Sequence, residues 1–382
     1  MRATLAIGPK TYVLSHRVVG GEPAQGYDPF LAAATPIAMR AGMDISVDGQ
    51  VSPRLLAGLE GVERMLNGWY PELRRVAIEP RGAQAQVGTG NRGTACFFSG
   101  GLDSFYSVLT NLERLDALIF IHGFDAQVDD SETLGRVAPL VRKAAAGLGL
   151  PLVEVETDVK KVAKLYCRWG DQYHGALLAS VAHVVSNRFE RVLIPASAPA
   201  IRLHPWGSHP ELDPLWSSEL VELSHDGAVT RAEKIAVVKE SQVALDILRV
   251  CFQKDTGRLN CGECEKCLRT MVGLRIVGAL ERCPTMPDEV PLEKLARMPI
   301  GESYLLERAG ENAAAAEAAG DLELAAALRQ MIREGPGRAA ALEARRRRRQ
   351  RWNRARRGLR RIRRKSLRLL RRARRGLSRR LS

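Results

Sequence analysis

The chain has 382 residues, 45% of them hydrophobic and 26% charged, which excludes a mostly disordered polypeptide and leaves room for two or three domains. No run approaches the ~20 apolar residues of a membrane-spanning helix. The stretch before Pro9 is too short for the apolar core of a signal peptide, so a cytoplasmic protein is expected. The net charge of +15 is concentrated in one place: from Arg345 onward there are 20 Arg, 1 Lys and no acidic residue, and the rest of the chain carries −6. The basicity belongs to a tail, and a body of that charge gives no sign of nucleic-acid binding.

Residues 1–93 are read as a small α+β domain. Short apolar runs at Thr4–Ile7 and Thr11–Val18 precede a stretch from Pro53 to Leu66 in which Leu55, Leu59, Val62 and Leu66 recur at helical spacing, with Ser52 as its cap. The polar, glycine-rich stretch Arg81–Arg92 reads as a linker. From Thr94 strands and helices alternate: strands at 94–98, 117–121, 152–155 and 192–195, and helices at 105–112, 133–148 and 174–187. That alternation predicts an α/β domain over 94–290 with a parallel sheet. A helical pattern over 231–250 follows. Residues 291–340 read as a helical segment, with two short helices broken near Gly320 and ended by Gly335-Pro336-Gly337, and 341–382 as the arginine-rich tail, a disordered extension or a surface helix.

Ser99-Gly100-Gly101-Leu102-Asp103-Ser104 follows the first of these strands and opens a helix. Two glycines let the backbone approach an anion, and a helix N-terminus offers unpaired amides. Ser99 and Ser104 add hydroxyls. Asp103 would repel a bare phosphate, so it makes chemical sense beside Mg²⁺. The spacing is not that of a Walker loop. The hexapeptide resembles the PP-loop of the ATP pyrophosphatases, which split ATP into AMP and pyrophosphate and activate a carboxylate or carbonyl oxygen as an adenylate. The resemblance implies a nucleotide-binding domain of the adenine nucleotide α-hydrolase-like (HUP) type. It also implies ATP at Ser99–Ser104, with His122 and Gly123 at the end of the second strand lining the nucleoside site.

Seven cysteines in a chain with no export signal argue against a disulfide framework. Cys261, Cys264 and Cys267 lie at gaps of two, and Cys251 precedes them by nine intervening residues. Four thiolates so spaced can close a tetrahedral shell around structural Zn²⁺, and an iron–sulfur cluster is the alternative. Cys96, Cys167 and Cys283 are isolated. A PP-loop followed by this cysteine run is similar to 7-cyano-7-deazaguanine synthase over about residues 94–275. Thr230–Ile235 resembles that family's lysine-bearing helix start.

The expected activity is adenylation of a small carboxylate or carbonyl substrate followed by nitrogen ligation. Asp103, Ser104, Lys234 and Arg231 would be the catalytic groups, and ammonia or an amide donor would supply nitrogen. The elements that grip the base in that synthase have no located counterpart, so the acceptor is unnamed. Lys266 and Arg269 are further cations expected near the phosphate end. The loop Ile201–Ser218, with His204, Trp206, His209, Asp213 and Trp216, is either a substrate loop or a packed surface loop. The alternatives are an enzyme modifying RNA, or a nucleotide sensor without catalysis. The expected partners are a small-molecule substrate, nucleic acid or an anionic surface for the tail, and a second copy in a homodimer.

Overall fold

The computed structural model describes residues 1–83, 92–124, 131–251 and 258–378, with backbone alone at 83, 131–134, 351 and 353–378. The chain divides into two compact units, Met1–Cys261 with Val277–Asp288, and Gly262–Ile276 with Glu289–Ser382.

In the first unit the elements run β1 (Arg2–Ile7), β2 (Lys10–Val18), α1 (Asp28–Ala41), β3 (Ile45–Val51), α2 (Pro53–Trp69), β4 (Ile78–Ala83), β5 (Gly93–Phe97), α3 (Leu102–Thr110), β6 (Ala117–His122), α4 (Ser131–Gly147), β7 (Leu152–Thr157), α5 (Val159–Tyr166), α6 (His174–Val184), β8 (Phe189–Pro195), β9 (Glu222–Asp226), α7 (Arg231–Val238) and α8 (Gln242–Leu245). Seven strands make one sheet in the order β1-β2-β7-β6-β5-β8-β9, and β3 and β4 pair separately. From β7 to β9 the sheet is parallel, as the alternation predicts. β1 and β2 form an antiparallel hairpin that joins the sheet through β7, with His16 opposite Thr157. Residues 1–93 thus supply both this sheet edge and the separate β3–β4 pair. Residues Arg81–Ala83 belong to β4 rather than to a linker; 84–91 lie outside the described residues.

The sheet is covered on both faces. Its alternation puts Phe97, Ile119, Ile121, Val155, Ile194 and Leu223 toward α1 and α6 in one core cluster. Cys96, Leu118 and Phe120 belong to the opposite face, and beyond β5 Phe98 meets Phe105 of α3 edge-on at 4.9 Å. β6 is buried at all six positions, as a central parallel strand requires. α2 starts where its sequence says: the Ser52 side chain accepts from Leu55 N at 2.9 Å with Pro53 in the first turn. Gly58 on α2 lets the carbonyl of Leu215 approach closely; a Cβ there would stand 1.9 Å from that oxygen.

The second unit holds α9 (Glu265–Ile276), α10 (Leu292–Ala296), α11 (Ser303–Ala318) and α12 (Leu322–Ser378). Gly320, at φ 77, breaks α11 from α12 as the sequence suggests. Gly335-Pro336-Gly337 does not end the helix: α12 runs through Pro336. The turn around Gly335 packs tightly on α10's C-terminal side, where a Cβ would meet Ile300 Cγ1 at 2.9 Å, and Arg338 donates to Ala296 O at 2.7 Å. Those contacts hold the turn across the single hydrogen bond that proline forfeits.

Candidate active site and cysteine cluster

The strand order reverses between β5 and β8, because β6 and β7 lie to one side of β5 and β8 and β9 to the other. In an open α/β sheet the crevice at such a reversal, at the carboxyl ends of the strands, is where ligands bind. Ser99–Ser104 sits there. Gly100 has φ 74, a conformation that only glycine adopts cheaply. Gly101 is the N-cap of α3 with no side chain in the way. Arg249 N donates to Gly100 O at 2.9 Å. Ser104 Oγ donates to Gly101 O at 3.0 Å and accepts from Ser99 N at 3.3 Å, so both serines brace the turn. Leu102 is buried and anchors α3.

Lys234 ties this loop to the next strand. Its Nζ lies 2.7 Å from Asp103 Oδ1 and also donates to Ala196 O, just past β8. The lysine side chain is 2% exposed and the carboxylate 38%. The Lys234 ammonium therefore bridges the two strand ends that flank the reversal. α7, which carries it, packs on α3 and begins with a complete capping box between Thr230 and Glu233. Arg231 is the first residue of α7 and is half-buried.

His122 ends β6, buried, with Nε2 2.7 Å from Glu154 Oε2 on β7. Arg142 adds a two-pronged bond to the same carboxylate at 2.8 and 2.9 Å. Burial pushes the Glu154 carboxyl up, but the Arg142 and His122 bonds outweigh it, and its pKa lies below the ordinary value. Gly123 follows at φ 105.

The loop Ile201–Ser218 divides in two. Trp216 is buried, with its carbonyl 2.9 Å from His183 Nε2. Trp206 is half-buried against His174 (5.6 Å) and His204 (5.7 Å), and Gly170 leaves space for its ring. Asp213 is fully buried and takes Ser208 Oγ at 2.7 Å and His225 Nδ1 at 2.7 Å on one oxygen. His225, on β9, is missed by sequence reading. Its strand, Glu222-Leu223-Ser224-His225-Asp226, has one apolar residue and no strand pattern. With Nδ1 held by a carboxylate, Nε2 is the atom left to exchange a proton, and it makes no hydrogen bond among the described residues. Burial pushes the nearby His174 and His209 down, against the pull of Asp213 on His174 and chiefly of Glu211 on His209.

Cys251, Cys261, Cys264 and Cys267 come together: their Sγ atoms all lie within 4.8 Å of one another. Tetrahedral zinc with bonds near 2.3 Å needs sulfurs about 3.8 Å apart, so the set fits a closed structural site and could hold the ion. Gly262, at φ 72, makes the turn between Cys261 and Cys264. Cys267 lies in the first turn of α9, where Leu268 N bonds Cys264 O at 2.9 Å. Asn260, which no sequence pattern announces, pins the base of the loop. Its oxygen accepts from Val250 N and Cys251 N, and its amide donates to Leu248 O and Thr285 O, at 2.8 to 3.1 Å. Cys96, Cys167 and Cys283 lie outside the cluster; burial raises all three thiol pKa values, Cys167 to about 12. Lys266 and Arg269 sit on α9, where Arg269 pairs with Glu265 at 3.1 Å.

No protein-family model, no curated protein and no solved structure matches the chain. What the molecule defines is an α/β protein with a mostly parallel sheet, a glycine loop at its strand reversal and a four-cysteine cluster. No helix among the described residues is long and apolar enough to cross a membrane.

Proposed function

We propose that the first unit is an ATP pyrophosphatase of the PP-loop kind, which adenylates a small carboxylate or carbonyl substrate and lets ammonia or an amide-derived nitrogen displace AMP. The observation that carries this is the Lys234–Asp103 contact across the strand reversal, directly beneath a glycine loop at a helix N-terminus. A purely structural turn has little use for a buried ammonium aimed at its only carboxylate. In this reading the amides from Gly100 to Ser104 and the Ser99 hydroxyl bind the β- and γ-phosphates, while the Ser99 amide and the Ser104 hydroxyl hold the turn. Asp103, the half-exposed member of the pair, is the group that would hold Mg²⁺, which supplies charge neutralisation on the phosphates. As Asp103 turns outward, the Lys234 ammonium is left facing the phosphates and stabilises the charge that develops on departing pyrophosphate. Arg231 adds a second cation at the same helix start.

In the second half, the nitrogen lone pair forms a bond to the acyl carbon and the bond to the AMP oxygen breaks. The attacking nitrogen then sheds a proton, and His225 Nε2 is the group in this part of the fold suited to take it. Zn²⁺ is the metal proposed for the four cysteines, where it would cross-link the loop. His122 and Gly123 border the nucleoside.

The test is product analysis with Mg²⁺-ATP, ammonium and a small-molecule extract. AMP and pyrophosphate, dependent on the extract and absent in Lys234→Met, are expected. ADP and phosphate as the products would refute the assignment.

A further inference from the structure

The arginine-rich end of the chain is a built amphipathic device, and its partner class can be read from it. α12 is one helix of 57 residues from Leu322 to Ser378. At about 100° per residue, Trp352, Leu359, Ile362, Leu369, Leu370 and Leu377, with the small residues 355, 366 and 373 between them, fall in a single sector about 100° wide. Between 353 and 378 there are 12 Arg and Lys365, and every one of those positions falls outside that sector. A chain under selection for charge alone would scatter arginine around the helix.

Three partners could use such a segment, and two fit poorly. Nucleic acid needs positive charge along a face, and gains nothing from a continuous apolar sector free of charge. A coiled coil with a second copy would bring arginine-flanked seams together, with no acidic residue after Glu343 to pair them. An anionic lipid surface uses both halves at once: the apolar sector enters the acyl boundary while arginines on both sides bind phosphate headgroups. Trp352, 61% exposed, stands at the start of the sector as an interfacial residue would. The helix also has reason to need such a surface. Upstream, acidic partners relieve the charge, as in Glu334–Arg338 and Glu343–Arg347. Further on, arginine follows arginine at the i,i+4 spacing, as at 356/360, 360/364, 364/368 and 368/372, a pattern that weakens an isolated helix.

We infer that residues 352–378 form an in-plane anchor that binds the protein to anionic membrane surfaces. The full-length chain is tested by cosedimentation with vesicles of equal parts phosphatidylglycerol and phosphatidylcholine, and with phosphatidylcholine alone. Each protein is also titrated with a random-sequence DNA duplex. A triple variant, Leu359→Ser with Leu369→Ser and Leu370→Ser, keeps every charge, and its thermal unfolding is compared with that of the parent. The parent should bind the anionic vesicles, gain helical circular dichroism on doing so, and ignore the neutral ones. The triple variant should lose vesicle affinity by about tenfold or more while its duplex binding stays unchanged. Equal vesicle binding by parent and variant would reduce the segment to a bare polycation. Failure of the parent to bind anionic vesicles while it binds duplex would assign the tail to nucleic acid and overturn the inference.

Discussion

Lys234 and Asp103 are an unequal pair, and the inequality gives a test that does not depend on knowing the substrate. The ammonium is 2% exposed and the carboxylate 38%. In Asp103→Ala the buried charge loses its only carboxylate partner among the described residues and keeps the carbonyl of Ala196 and the Tyr106 ring, 6.0 Å away. Stranding a buried charge costs about 3–5 kcal/mol. Taking the lower figure, and ~2–4 °C per kcal/mol for a unit of this size, the first thermal transition should fall by roughly 6–12 °C. Lys234→Met removes the buried charge, refills its volume with an unbranched chain, and leaves a carboxylate that water already reaches. Its cost is the lost bond to Ala196 O, about 1 kcal/mol. The double variant should then unfold near Lys234→Met, well above Asp103→Ala. Calorimetry of the four proteins at pH 7 reads this directly, and all variants should lose AMP formation alike. If Asp103→Ala proves as stable as the parent, or the double variant falls to the sum of the two losses, Asp103 is not what makes the buried ammonium tolerable. The account of the loop would then fail.

Four further outcomes follow from the same geometry. Cys264→Ser should purify with its bound metal lost by elemental analysis, and a chelator should lower the parent's unfolding temperature but leave that variant unmoved. Asn260→Ala orphans up to four buried backbone groups and should cost about 3 kcal/mol in denaturant unfolding, while Asn260→Asp, which keeps two acceptors, should cost less. Burial, with the N-terminal amine adding to it, pushes His16 down to about 3. Ser180 gives its own proton to Pro29 O, so His16 Nε2–H donates to Ser180 Oγ and Nδ1 is left bare. The unfolded chain therefore takes up a proton below pH 6.5 that the folded chain refuses, and stability from this residue, full above pH 6.5, falls by ~1.4 kcal/mol per pH unit on the way down to about 3; a His16→Leu chain should show a shallower acid slope. Gly58→Ala should destabilise the protein although alanine is the better helix former, because its Cβ meets Leu215 O; a gain in unfolding temperature would contradict that packing.

What the sequence disclosed and what it hid separate along a physical line. A motif is legible when its parts are neighbours in the chain. Ser99–Ser104 with its flanking strand and helix, the cysteine run from 261 to 267, and the Ser52 cap of α2 all declare themselves within a few residues, and their backbone conformations follow. α1 stayed hidden for a different reason. Twelve of its fourteen residues are buried, so it has no polar face to produce a helical period, and Pro36 inside it reads as a breaker. The contact between Lys234 and Asp103 spans 131 positions, and no local pattern could announce it; only the resemblance of Thr230–Ile235 and the need for a cation near phosphate point to the lysine.

The His225–Asp213 dyad shows the limit most sharply. The two residues are only twelve apart, yet they meet because β9 pairs with β8 and turns His225 to the face opposite Asp226, whose carboxylate takes Asn111 Nδ2 from α3. Local sequence sets the side-chain alternation of a strand, but the neighbouring strand sets its register, and a slip of one residue would exchange the two side chains. Register is therefore the quantity on which the chemistry of this edge depends. A variant that shifts it, such as a single-residue insertion after Val221, should abolish the proton transfer proposed for His225 while leaving the loop at Ser99 intact. In such a protein ATP binding would persist and amide formation would stop. That separation would identify the strand pairing, rather than the glycine loop, as the element that joins the two proposed half-reactions.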